Sequence, residues 1–249
     1  MSKKPWKRGP RPLKYLESDT LTSIGVGKDK LRKAATMLKD TSEQHIIKVF
    51  NHLKDRLGDP RPIINKDPEI LKISKEKVDG VMDAFADFGF TQDETNAVIR
   101  KCPRTLKRSI DTIHSIFDVF NSDFDRGEVI SIMIKDSLLL TRDSNSLRSR
   151  YNLLKRRLPD NAKKIVLAFP AIIRSYGEDS LNAKINVFEE IAPEIGMQEL
   201  LKNPIRLAYS PDTVRKRFQF FKDRGISYNE LFISKKKFKD RFGINPENL

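Results

Sequence analysis

The chain has one cysteine and three histidines in 249 residues. Cys102 alone excludes an internal disulfide framework. With only His45, His52 and His114 beside it, a structural zinc site has too few ligands, and a reducing compartment is expected. No stretch approaches the roughly eighteen apolar residues of a membrane span, and no apolar run follows the basic start, so neither a membrane partner nor secretion is expected. Acids are missing from the first sixteen residues, MSKKPWKRGPRPLKYL, which carry Lys3, Lys4, Lys7, Arg8, Arg11 and Lys14. Prolines at 5, 10 and 12 rule out a regular helix there, so the segment reads as an extended basic arm. Alternating strand patterns of useful length are missing as well.

What the chain has in excess is positive charge, +14 formally. Such an excess favours a polyanionic partner, because every phosphate neutralised releases a counterion. The charge is uneven. Residues 1–39 hold 11 Lys or Arg against 3 acids, residues 40–146 hold 16 against 19, and residues 147–249 hold 21 against 12. The densest stretch is 147–174, where Arg148, Arg150, Lys155, Arg156, Arg157, Lys163, Lys164 and Arg174 face only Asp160.

A phrase recurs along the chain: an apolar helix end, one or two polar residues, proline, then an apolar pair. It appears as IINKDPEIL, VIRKCPRTL, IMIKDSLLL, VLAFPAII and LLKNPIRL. Its marker positions are Pro68, Pro103, Ser137, Pro170 and Pro204, spaced by 35, 34, 33 and 34 residues, with Ser137 standing where a proline is due. A period in this range marks a solenoid of helix pairs. After each phrase a serine (Ser74, Ser109, Ser144, Ser180, Ser210) precedes a run with apolar residues at i, i+3, i+4 and i+7, the spacing of a helix with one buried face. Val78, Val81, Met82 and Phe85 form the first such face, and Leu147, Tyr151, Leu154 and Leu158 the third. Thr91 to Glu94 and Ser227 to Glu230 have capping-box spacing. A helical pair at 28–39 and 42–57, with Ile46, Val49, Phe50, Leu53 and Leu57 inward, precedes the first unit. The expected organisation is a basic extension over 1–27 and a helical-repeat domain over 28–249. Within that domain, divergent first helices occupy 28–57, proline-marked repeats about 58–230, and a cap 231–249.

Tetratricopeptide and pentatricopeptide repeats share the period, but they need small residues where helices cross, and here those interiors carry Phe, Leu and Ile. The phrase exemplified by INKDPEIL resembles the mitochondrial transcription termination factor (mTERF) family, and the closing segment ISKKKFKDRFGI at 233–244 is similar to the end typical of it. The resemblance covers about residues 42–244. It implies an all-α solenoid, a superhelix of about five repeats, each of two α-helices and a 3₁₀ turn at the proline phrase. It also implies nucleic-acid binding, and residence in the mitochondrial matrix or, alternatively, a plastid.

No catalytic residue, metal site, cofactor or small-molecule substrate is expected. Asp79, Asp83 and Asp87 at i, i+4, i+8 read as a solvated face, His114 as a satisfied or surface histidine, and Cys102 as a small apolar residue. Gly25, Gly27 and Lys28 lack phosphate-loop spacing. The candidate nucleic-acid contacts are the six basic residues of the arm, the eight of 147–174, and Arg215, Lys216 and Arg217, which occupy an equivalent element two repeats on. Lys101, Arg104, Lys107 and Arg108, and Lys235 to Lys237 with Lys239 and Arg241, extend that surface. The mildly acidic middle favours RNA over duplex DNA, since a duplex reader wants cations along its whole groove. The resulting expectation is a non-enzymatic ribosomal-RNA binder of the mitochondrial ribosome or its assembly, with ribosomal proteins as further partners. A duplex-DNA transcription terminator and a protein-interaction scaffold are the alternatives.

Overall fold

The structure, a computed structural model, describes residues 19–245 and Leu249. The six basic residues of the expected arm, Lys3 to Lys14, lie outside the described residues. Among the described residues there are fifteen α-helices, five 3₁₀ turns and no strand. The chain forms two compact units that part between His114 and Ser115.

In the first unit α1 (Asp19–Ser23), α2 (Leu31–Leu38) and α3 (Glu43–Leu57) precede the repeats. Residues 19–27, expected within the extension, are folded: Leu21, Ile24 and Val26 are buried. Asn65 clamps the following turn, donating to the Gly25 carbonyl at 3.0 Å and accepting from the Gly27 amide at 2.8 Å. Gly25 has φ +83°, a left-handed value that favours glycine. The glycines near Lys28 thus make a structural turn. Of the expected inward face of α3, Ile46, Val49, Leu53 and Leu57 are buried and Phe50 is half-buried.

Five repeats follow, each a helix, a turn at the marker position and a second helix. The first runs α4 (Arg61–Lys66), turn Pro68–Lys72, α5 (Lys75–Phe88). The second runs α6 (Gln92–Lys101), turn Pro103–Lys107, α7 (Ile110–Phe117), and the boundary between the units falls inside α7. The second unit continues with α8 (Arg126–Lys135), turn Ser137–Thr141, α9 (Ser144–Arg157). Then come α10 (Ala162–Ala168), α11 (Ala171–Ser175) and α12 (Glu178–Ile195), and after them α13 (Met197–Leu201), turn Pro204–Ala208 and α14 (Pro211–Asp223). A short turn Tyr228–Glu230 and α15 (Lys235–Phe242) close the described part.

The marker proline acts on the residue before it. Proline forces its predecessor out of helical geometry, and Asp67, Cys102, Phe169 and Asn203 all have φ between −145° and −125° with ψ between 70° and 99°. That ends one helix, and the proline then opens a tight turn at the position where a missing N–H costs nothing. Four of the five turns are 3₁₀. The one at Pro170 is a single α-turn, α11, against the expectation of a 3₁₀ turn in every repeat. The apolar pair beyond the marker points inward: Ile70 and Leu71, Leu139 and Leu140, Ile172 and Ile173 are each wholly buried. Burial of a side chain of this size stabilises by about 1.5–3 kcal/mol.

Side-chain caps start most of the second helices. Ser74, Ser109 and Ser210 accept from the amides of Lys77, Thr112 and Thr213. Two expected caps shift. Asp143, not Ser144, caps α9, and Gly177, without a side chain to contribute, stands where Ser180 was expected to cap α12. At α9 the Asp143 carboxylate, one residue earlier, accepts from the Ser146 amide, and a negative charge suits a helix start. The Thr91–Glu94 box forms, the Ser227–Glu230 box does not, and Asp125 with Glu128 makes one that the spacing rule for Ser or Thr passes over.

Ser137 shows that the turn does not need its proline. Asp136 before it has φ −136° and ψ 76°, close to the −130° and 79° of Cys102 before Pro103. The buried Ser137 hydroxyl donates to the Met133 carbonyl at 3.0 Å. Replacing Ser137 by proline is therefore expected to preserve the fold and to change stability by no more than about 1 kcal/mol, the lost hydrogen bond being offset by reduced unfolded-state entropy. Urea unfolding checks this; a loss above about 3 kcal/mol would show that the third turn depends on serine.

Candidate nucleic-acid interface

In the second unit α9, α12 and α14 lie side by side, with α12 touching both others. The cations that the sequence singles out lie on α9 and α14 and on α10 and α11 between them in the chain, and acids of neighbouring repeats meet five of them. Lys155 pairs with Asp123 at 2.7 Å, Lys163 with Glu128 at 2.7 Å and Arg174 with Asp136 at 2.6 Å. Arg157 reaches Glu189 at 2.5 Å and also bonds Asn182 and Asn186. Arg215 pairs with Glu190 at 2.8 Å and, beside it, Lys222 with Glu194 at 2.6 Å. The expectation that 147–174 faces only Asp160 thus holds along the chain and fails in space. Arg148, Arg156, Lys164 and Lys216 are exposed and make no ion pair with the described residues. Lys164 lines, with Lys135, Lys163, Asp160, Leu167 and Ala168, an open groove of about 550 Å³.

Two candidates point inward. Arg217, expected to contact nucleic acid, is wholly buried. It donates to the carbonyls of Leu231 at 3.0 Å and Ile233 at 2.6 Å, and its guanidinium lies 4.6 Å from the Phe238 ring centroid. Arg150 is half-buried and donates to the carbonyls of Ile173 and Arg174 at 3.0 and 3.4 Å. Lys184, which the sequence reading passed over, does the same work in the intervening repeat. It is buried and donates to the carbonyls of Ala208 at 3.1 Å and Tyr209 at 2.7 Å, with Nζ 4.3 Å from the centre of the Tyr176 ring.

These three residues are equivalent. Each lies on the second helix of its repeat and binds the main chain that closes the next turn, where carbonyls are left over. A sequence signal for this exists. Arg150 falls between Leu147 and Leu154, Lys184 between Leu181 and Phe188, and Arg217 between Val214 and Phe221, always three residues after one core position and four before the next. A cation on the apolar stripe of an amphipathic helix is placed to bury.

A related bond recurs at the ends of the first helices. Lys66 donates to the Arg100 carbonyl at 2.6 Å and Lys135 to that of Leu167 at 2.7 Å. Each lysine stands two residues before its marker and reaches the residue three before the next marker. In the first unit Lys107 bridges Asp67 at 2.9 Å and Glu69 at 2.8 Å. Burial pulls the pKa of Lys107 down, but the two carboxylates outweigh it and the net shift is upward. The expected solvated aspartates of α5 are partly engaged, Asp79 with His52 at 3.0 Å and with Arg56 at 3.1 Å. Cys102 is buried. Among the described residues no group of three or more His, Cys, Asp or Glu is placed to hold a metal ion, and no helix is long and apolar enough to cross a membrane.

The buried cations lead to two expectations. Arg217→Ala leaves two carbonyls and an aromatic pocket without a partner and should lower stability by about 2–4 kcal/mol in urea unfolding. A variant of native stability with weakened nucleic-acid binding would return Arg217 to the interface. Burial lowers the Lys184 pKa from 10.5, so the folded state holds this proton less tightly than the unfolded one. Its contribution to stability rises as pH climbs from the lowered value through 10.5. Comparing the pH dependence of unfolding for the wild type and Lys184→Met on the alkaline side, up to pH 10.5, should show a flatter rise in the variant; an identical rise would contradict the assignment.

A comparison of the sequence with curated proteins gives no match. The mTERF family model matches residues 19–131 and 62–239, together most of the chain. The marker turns, the paired helices and the apolar faces observed here are the all-α repeat pattern that the resemblance implied. The chain belongs to the mTERF family, which points to nucleic-acid binding in organellar gene expression.

Proposed function

We propose that the protein binds RNA, and ribosomal RNA in particular, as a component or assembly factor of the mitochondrial ribosome, and that it does so without catalysing a reaction. The observation that carries this reading is the place of α12. Between Glu178 and Ile195 it holds five acids and one lysine, the buried Lys184. It lies between α9, which has five cations and no acid, and the cationic face of α14. A regular duplex backbone running across these three helices would meet Glu189, Glu190 and Glu194 midway, already paired with Arg157, Arg215 and Lys222, and would have to displace these carboxylates to gain contacts there. Folded RNA presents phosphates from several directions and can meet separate cations, such as Arg148, Arg156 and Lys216, without crossing the acidic helix.

The test is binding to a structured ribosomal-RNA fragment and to duplex DNA of equal length across a salt series. Tighter binding to the RNA at every salt concentration, with affinity falling steeply as salt rises, is expected. Equal or tighter binding to duplex DNA would favour a role in transcription, and weak, salt-independent binding to both would leave a protein scaffold.

A further inference from the structure

The α15 helix differs from α9 and α14 in how its charge is treated. It carries Lys235, Lys236, Lys237, Lys239 and Arg241 against a single acid of its own, Asp240. Arg241 pairs with Glu230 at 2.6 Å. Lys236, Lys237 and Lys239 are exposed and make no ion pair with the described residues. On a helix whose core side is Phe238, Lys236 points away from the core and Lys237 and Lys239 flank it, so the three spread over the solvent side.

This helix is held by rings rather than by charge. Phe238 is wholly buried, and its ring centroid lies 5.6, 6.0 and 4.9 Å from those of Phe220, Phe221 and Phe242. Ser234 caps it by accepting from the Lys237 amide. Arg217, bonded to the Ile233 carbonyl beneath the Phe238 ring, fixes the main chain at its entrance. Arg224, at the end of α14, stacks on Phe220, one of the same rings, with the guanidinium 4.0 Å from the centroid. It too is exposed and without an ion pair among the described residues, Asp223 being the acid beside it in sequence.

We propose that Arg224 with Lys236, Lys237 and Lys239 forms a phosphate-contact surface for RNA, and that it supplies more of the salt-dependent affinity of the folded part than the α9 cluster does. The inference rests on the RNA-binding reading above. Its physical basis is the difference between paired and unpaired cations. Lys155 or Arg157 must give up a carboxylate to meet a phosphate, so the exchange yields little. An exposed, unpaired lysine gives up water and releases a counterion from the RNA. Arg224 adds a planar donor that the ring already holds in place, which reduces the entropy lost on binding.

The experiment compares wild type, the triple variant K236Q/K237Q/K239Q and the double variant K155Q/R157Q, which removes the paired cations of α9. It reads affinity for a structured ribosomal-RNA fragment from 50 to 300 mM salt, on the order of the range over which phosphate contacts are lost, with thermal melts as the folding control. The triple variant should melt like the wild type, lose at least about ten-fold in affinity at low salt, and show a log–log salt slope shallower by about one per lysine removed. The double variant should lose less. R224K, which keeps the charge and loses the stacked plane, should bind more weakly than wild type and more tightly than R224Q. A triple variant with wild-type affinity and slope, or one less affected than the double variant, overturns the proposal while RNA binding by the wild type stands. Failure of the wild type itself to bind RNA removes the reading beneath it, and binding to phosphatidylserine vesicles in that case would assign the lysines to a membrane surface.

Discussion

Repeat proteins bury their helix faces only against neighbouring repeats, so each unit needs contacts that set its spacing to the next. Here the recurrent contact is a cation reaching leftover carbonyls of the following repeat. Arg150, Lys184 and Arg217 each bind the main chain that closes the next turn, and Lys66 and Lys135, at the ends of their own helices, bind carbonyls in the last turn of the next repeat's first helix. A short turn leaves acceptors exposed at its C-terminal side, and a long basic side chain can satisfy them from the preceding unit. The equivalent positions of the first two repeats, around Val81 and Ile116, are apolar and wholly buried. The mid-helix form of the device is thus confined to repeats of the second unit, while Lys66 provides the helix-end form in the first.

This use of charge explains why a strongly basic chain has a broken cationic surface. Some of the cations are spent on carbonyls, and others on acids one repeat away, such as Asp123, Asp136 and Glu189. What remains for a polyanion is a set of separate side chains with α12 dividing them. Ion pairs at exposed positions contribute about 0–1 kcal/mol each, so their effect on stability is small. Their larger effect is on which cations a phosphate can reach without displacing a carboxylate.

The repeat was legible in the sequence because its determinants are local. A proline acts on its own turn and on the residue before it, and the buried stripes of Val78 to Phe85 and Leu147 to Leu158 follow from a 3.6-residue period. The absence of proline at Ser137 did not hide the third turn, since the flanking apolar pattern carried it. Charge was less legible because its determinants are distant. Asp123 and Glu189 lie 32 residues from the cations they meet, outside any window in which local net charge is summed. Arg217 was misassigned because its basic character outweighed its register between Val214 and Phe221, which was the better guide. The cap shifted by one residue at Asp143 because aspartate, like serine, can accept from the free amides of a first turn.

The division of cations into structural and available ones can be measured directly by lysine acylation followed by mass spectrometry, with and without bound RNA. In the free protein Lys184 should be nearly unreactive, while Lys164, Lys216 and Lys236 should react fast. RNA should then protect those three and leave the modest reactivity of Lys155 unchanged. Fast modification of Lys184 in the native protein, or protection centred on Lys155 and Lys163 with Lys216 and Lys236 unaffected, would contradict the account.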